Sequence, residues 1–202
     1  MTTVGGLDVS RETFAKLESF ARLVEKWTPK INLVSKPSVP YLWERHVVDS
    51  VQLFTIAPKT GLWVDIGSGG GFPGIVISIL SSEQGDSHNL TLIESDKRKG
   101  VFLRTAIREL GLTATVISDR IENVPSLQAD ILSARALADL TTLLGYADKH
   151  LKSDGAALFP KGENWLKEHE GAQGVWSYEC EPIKSLTNPS AAVLKIKEIA
   201  RV

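Results

Sequence analysis

Leu62-Trp63-Val64-Asp65-Ile66-Gly67-Ser68-Gly69-Gly70-Gly71-Phe72-Pro73-Gly74 is the stretch on which the fold turns. Its first five residues read as a short buried strand that ends in glycines. The apolar run 73–81 follows. Its isoleucines and valine would suit a strand, but Pro73 directly after the glycines favours a helix start. A strand that ends in glycines and leads into a helix N-terminus is a ligand cradle. Glycine permits tight turns and lets main-chain N–H groups approach the ligand.

Two cradle patterns compete. Gly69, Gly71 and Gly74 meet the dinucleotide pattern G-x-G-x-x-G. Asp65, Gly67, Gly69 and Gly71 meet the acid-x-Gly-x-Gly-x-Gly pattern of a cradle for S-adenosyl-L-methionine. Both want an acid at the end of the next strand for ribose hydroxyls, and Glu94 supplies it. The segment Ser118-Asp119-Arg120-Ile121-Glu122 would then flank the adenine, or else be an ordinary loop with a capping Asp.

Outward from the cradle, residues 1–60 read as all-helical. Residues 10–28 are amphipathic, with Phe14, Leu17, Ala21 and Val24 spaced by three and four, Asp8 or Ser10 as cap and Pro29 as stop. A second helical stretch runs from about Pro40 to Ile56. After the cradle, strands are expected at 90–94, 113–118, 129–134 and 155–159, and helices at 98–110 and 139–151. Alternation of this kind implies a parallel sheet covered on both faces. Two more strand-like runs, 174–180 and 191–198, are joined only by the turn-rich segment 181–190. That leaves no room for a crossover helix, so the pair should be antiparallel. The expected architecture is α/β: a Rossmann-like class I methyltransferase fold with a mostly parallel seven-stranded sheet and an antiparallel C-terminal hairpin. A helical cap, residues 1–60, joins a donor-binding domain, residues 61–202, in one compact unit. The hairpin and the cap favour the methyl donor over a nicotinamide cofactor. A reductase and a non-catalytic cofactor sensor stay as rivals.

Bulk properties narrow the class further. No apolar run approaches the length of a membrane span and no secretory leader is visible. Cys180 is the sole cysteine, so no intrachain disulfide forms, as suits a reducing cytoplasm, and its apolar surroundings suggest a buried small hydrophobe. No His/Cys cluster suggests a metal site. Net charge is −1, yet its distribution is uneven. Residues 60–94 carry Asp65, Glu83, Asp86 and Glu94 without a Lys or Arg, whereas 95–110 hold Lys97, Arg98, Lys99, Arg104 and Arg108 against Asp96 and Glu109. That basic cluster is a solvated helix face or a phosphate-binding one.

Asn32-Leu33, Arg45-His46-Val47-Val48-Asp49-Ser50, the cradle through Phe72-Pro73-Gly74, Ser133-Ala134-Arg135-Ala136 and Pro160-Lys161-Gly162 occur in that order. In this combination the chain resembles the bacterial small-subunit ribosomal RNA methyltransferase G family, also called the glucose-inhibited division protein B family, over roughly residues 10–200. One departure is Ala134, which stands between Ser133 and Arg135 where many members have Ser-Arg-Ala. The resemblance implies methylation of ring nitrogen 7 of a guanosine in the 530 loop of 16S rRNA, by a cytoplasmic monomer that uses S-adenosyl-L-methionine and no metal. It implies that Gly67, Phe72, Ile121, Glu122 and Arg135 line the donor site, joined by Gly69 and Glu94 from the cradle reading. The acceptor nitrogen keeps an in-plane lone pair, so no general base is required. Arg135 would bind the donor carboxylate in preference to a substrate phosphate. Lys161 would contact RNA phosphate or the guanine. Asn32, Arg45, His46 and Asp49 would wall the acceptor pocket or form a polar network in the core. Lys26, Lys30, Lys36, Lys97, Arg98 and Lys99 would hold phosphates. Near-neutral net charge implies weak binding to naked RNA and recognition of a larger ribosomal particle.

Overall fold

The computed structural model describes residues 1–84 and 88–202; Asp86 of the acidic stretch therefore lies outside the described residues. The chain opens with a hairpin, β1 (Thr2–Val4) paired antiparallel with β2 (Leu7–Val9). This corrects the all-helical reading of residues 1–60. Gly5 and Gly6, at φ 56° and 84°, form a turn with two left-handed residues, and the Gly-Gly pair between Val4 and Leu7 was the overlooked signal.

Helix α1 (Arg11–Ile31) is capped by Ser10, whose hydroxyl accepts from the Thr13 amide at 3.1 Å. Pro29 does not stop it. The helix continues two residues because proline in a last turn removes only one backbone bond. Asn32, left-handed at φ 50°, closes the helix by donating its N–H to the Thr28 carbonyl. The second helical stretch begins earlier than expected and has three parts: a 3₁₀ segment over Lys36–Tyr41, a π-helical turn over Trp43–Val48, and α2 (Asp49–Ile56).

The sheet order is β5-β4-β3-β6-β7-β9-β8. It comprises β3 (Gly61–Ile66), β4 (His88–Ile93), β5 (Ala114–Ile117), β6 (Ala129–Ala134), β7 (Leu151–Lys161), β8 (Trp176–Lys184) and β9 (Ala192–Arg201). β3 through β7 pair parallel; β9 runs antiparallel to β7, and β8 antiparallel to β9. The expected seven strands and antiparallel tail are both present, although β8 runs on into the segment read as turn. The apolar run after the glycines is helix α3 (Gly74–Gln84). Helix α4 (Lys97–Leu110) starts on an Asp96 cap and ends at left-handed Gly111. Helix α5 (Leu140–His150) is capped by Asp139. A further helix, α6 (Trp165–Ala172), had not been anticipated.

One apolar core joins the hairpin, α1 and α2 to α3, α4 and the sheet, through Val4, Phe20, Val51, Trp63 and Phe102 among others. A second core lies under α5 on the opposite face, with Leu144, Phe159 and Leu194. Cys180, expected to be buried, is only half-buried because β8 is the edge strand. Strand order reverses between β3 and β6. The carboxyl ends of those two strands therefore open a crevice, where ligands of parallel sheets bind.

Candidate active site

Both expected cradle strands end at this crevice. Gly67, Gly69 and Gly71 all adopt left-handed φ, 65°, 53° and 85°, which L side chains adopt at a cost. Gly74 is glycine for a different reason: a Cβ there would lie 2.1 Å from Leu92 and 2.8 Å from the Asp65 carboxylate.

A buried polar chain holds the loop from beneath. The Trp63 indole donates to the Ser133 hydroxyl at 2.9 Å, Ser133 donates to Asp65 Oδ1 at 2.7 Å, and Gly74 N–H donates to Asp65 Oδ2 at 3.3 Å. Burial pushes the Asp65 carboxyl up to about 6, against the pull of those bonds. From the side, Glu94 accepts from the Gly69 amide at 2.8 Å and the Asp96 amide at 2.7 Å. Its buried carboxylate suits the ribose hydroxyls that either cradle pattern calls for.

The glycines open into a cleft of about 1070 Å³ between cap and sheet. Of the candidates, Gly67, Gly69, Phe72, Arg45, His46, Asp49, Arg135 and Lys161 all line it. Asn32 does not; it is exposed at the end of α1. A smaller hollow beside Glu94, about 430 Å³, is lined by residues 95–97, 118–120 and 123. Ile121 lies buried below it, in a 3₁₀ turn. The Glu122 carboxylate turns away, accepting from the Tyr146 hydroxyl at 2.7 Å, while Lys149 binds the Glu122 carbonyl. That leaves the main chain of this turn, not the Glu122 side chain, for a base edge.

Arg135 joins sheet to cap. It donates to the Arg45 carbonyl at 2.8 Å and to His46 Nδ1, and its guanidinium lies 5.7 Å from the Phe72 ring centre. The π-helical turn brings Arg45 and His46 to the β6 end, and such turns often mark functional sites. Burial, then the charges of Arg135 and Arg45, lower the His46 pKa to about 3. The ring is therefore neutral, with its proton on Nε2, a buried atom that has no hydrogen-bond partner among the described residues. Burial raises the Asp49 carboxyl.

Lys161 is not a free cation. Its ammonium donates to the Ala138 carbonyl at 2.8 Å and to Glu168 on α6 at 2.7 Å; Glu168 also accepts from the Leu140 amide. The clamp fixes loop 135–139, whose Leu137 side chain lies over Gly67. Sequence reasoning also missed the far wall, loop 185–191. Gln52 donates to the Lys184 carbonyl and accepts from the Leu186 amide, and Thr187 donates to Asp49. Nothing local in a turn-rich segment signals a partner 130-odd residues away.

Sheet order, cradle and acid together define a Rossmann-like S-adenosylmethionine-dependent methyltransferase. Solved structures agree on the fold. A TehB-like S-adenosylmethionine-dependent methyltransferase from Corynebacterium glutamicum superposes with a TM-score of 0.57 at 15% identity, covering 91% of this chain and 98% of its own. A putative methyltransferase of the same dependence from Methanococcus maripaludis gives 0.57 at 14% identity, covering 98% and 97%. At the level of family, the model for GidB, rRNA small subunit methyltransferase G, matches residues 13–192. Ribosomal RNA small subunit methyltransferase G of Ruegeria sp. strain TM1040 is 54% identical over 196 residues, 97% of this chain and 96% of the relative. Its namesake in Ruegeria pomeroyi is 55% identical over the same coverage. The chain belongs to the rRNA small subunit methyltransferase G family.

Proposed function

We propose that this chain methylates ring nitrogen 7 of a guanosine in the 530 loop of 16S rRNA, within the small ribosomal subunit or an assembly intermediate of it. Family membership carries the substrate, and the joining of glycine cradle and cap cleft at one sheet end supports the chemistry. The donor supplies a sulfonium methyl: the nitrogen lone pair forms the new N–C bond, the C–S bond breaks, and its electrons stay on sulfur.

The residues of the chain bind, orient and exclude water. Gly67 and Gly69 offer backbone to the donor, Glu94 its ribose contacts, and Ile121 and Glu122 their main chain to the adenine. Arg135 takes the donor carboxylate, with Phe72 beneath it. Arg45 and His46 stand on the acceptor side. His46 is unsuited to act as a base, because a pKa held near 3 makes its ring too weakly basic and Nδ1 is already occupied, and the reaction requires none. In-line positioning is then the main catalytic device. Lys161 serves by holding loop 135–139, in place of the RNA contact expected from sequence.

No helix among the described residues is long and apolar enough to cross a membrane. We infer that the protein acts in the cytoplasm, on its ribosomal RNA substrate, and as a monomer. Incubation with labelled donor and unmethylated small subunits, followed by mapping of the modified base, tests the assignment. Label at nitrogen 7 of a single 530-loop guanosine is expected. Label absent from RNA, or on another atom, overturns it.

A further inference from the structure

Methyl transfer requires guanine nitrogen 7 to be free of hydrogen bonds, so the base must be gripped by its other polar atoms. The Watson–Crick edge of guanine offers two donors, N1–H and the 2-amino group, beside the O6 acceptor. A carboxylate matches those donors; adenine would present its N1 lone pair to the same carboxylate and be repelled. Transfer also turns a neutral base into a cation. A carboxylate on that edge therefore binds the transition state more tightly than the ground state.

The cleft holds few carboxylates that could do this. Glu168 is engaged by Lys161 and the Leu140 amide. Asp65 is sealed under the loop at 0% exposure. Glu44 stands exposed in solvent. Asp49 is half-buried in the wall; one of its oxygens accepts from Thr187, and among the described residues no hydrogen bond holds the other. Arg45 sits four residues earlier in the same helical segment. It also lines the cleft and, among the described residues, forms no ion pair with Asp49. A cation and an anion set side by side but unpaired match the O6 acceptor and N1–H donor of one base edge.

We infer that Asp49 reads the Watson–Crick edge of the target guanine, accepting from N1–H and the 2-amino group, with Arg45 donating to O6. Asp49 is then the residue that selects guanine. The inference rests on the guanosine substrate proposed above.

The test is a functional-group cycle on small-subunit particles carrying either guanosine or inosine, which lacks the 2-amino group, at the target position. Wild-type chain should lose about tenfold or more in kcat/KM on inosine, one charge-assisted hydrogen bond. Asp49→Asn keeps an acceptor for Thr187 but loses the charge. It should fall about tenfold or more on guanosine and treat the two bases within about twofold of each other. Thr187→Val disturbs the wall and keeps the carboxylate, so it should retain the wild-type guanosine-to-inosine ratio. Equal loss by Asp49→Asn on both bases, or a wild type indifferent to inosine, overturns the role of Asp49. Failure of the wild type to methylate the guanosine particle overturns the substrate itself.

Discussion

Asp65 shows how one buried carboxyl ties stability to the cradle. Its folded-state pKa, about 6, lies above the ordinary 3.8. The stabilisation it contributes is complete below pH 3.8 and is lost as pH rises through 6. Asp65→Asn should abolish this dependence. Between pH 4 and 7, urea unfolding should show the wild type losing on the order of 3 kcal/mol relative to the variant. His46 has the opposite sign. Its folded pKa near 3 means that stability falls as pH drops below 6.5, and nothing titrates at this residue above that value. His46→Phe keeps a ring against Phe72 but removes the acceptor that orients Arg135. The expected outcome is a donor KM raised about tenfold with kcat less affected, read from steady-state kinetics. At this scale the sequence was most readable where the backbone demanded a residue type. The left-handed glycines and Glu94 announce themselves. Gln52, Thr187 and Glu168 do not, because their work depends on partners that only the fold brings near.

Among the elements, α6 and its clamp were the least legible. The helix has eight residues, and Asn164 at its start makes no side-chain cap bond, so neither length nor capping marks it. Yet α6 delivers Glu168 to Lys161, whose side chain is 9% exposed. Lys161→Met leaves Glu168 unpaired and frees loop 135–139. Partial exposure of Glu168 moderates the cost to about 2 kcal/mol by denaturant unfolding. Adding Glu168→Gln, which removes the stranded charge, should recover part of that loss. A lysine that instead served only to contact RNA would leave stability unchanged. The long elements were legible for the opposite reason. α1, α4 and α5 carry strong apolar periodicity and side-chain caps, and each parallel strand has an apolar stretch followed by glycine or polar residues.

For the molecule as a whole, charge is distributed to suit a particle more than a free strand. Trp27 and Phe102 pack 5.6 Å apart and join α1 to α4, the two helices that carry exposed Lys26, Lys30, Lys97 and Arg98. Replacing Lys26, Lys30 or Lys97 singly by alanine should lower kcat/KM on small subunits without moving the melting temperature. Each lost phosphate contact should reduce the slope of log kcat/KM against log salt by about 0.7–1.

The ties from Gln52 and Asp49 to residues 184–187 also order events in time. A chain leaving the ribosome emerges N-terminus first. The cradle strands and cap are exposed to folding long before Thr187 appears, so a nascent chain can shape its glycine loop while the cleft still lacks its far wall. A copy that ends before Thr187 should therefore lack the far wall of the cleft, and methylation assays on small subunits should find it inactive.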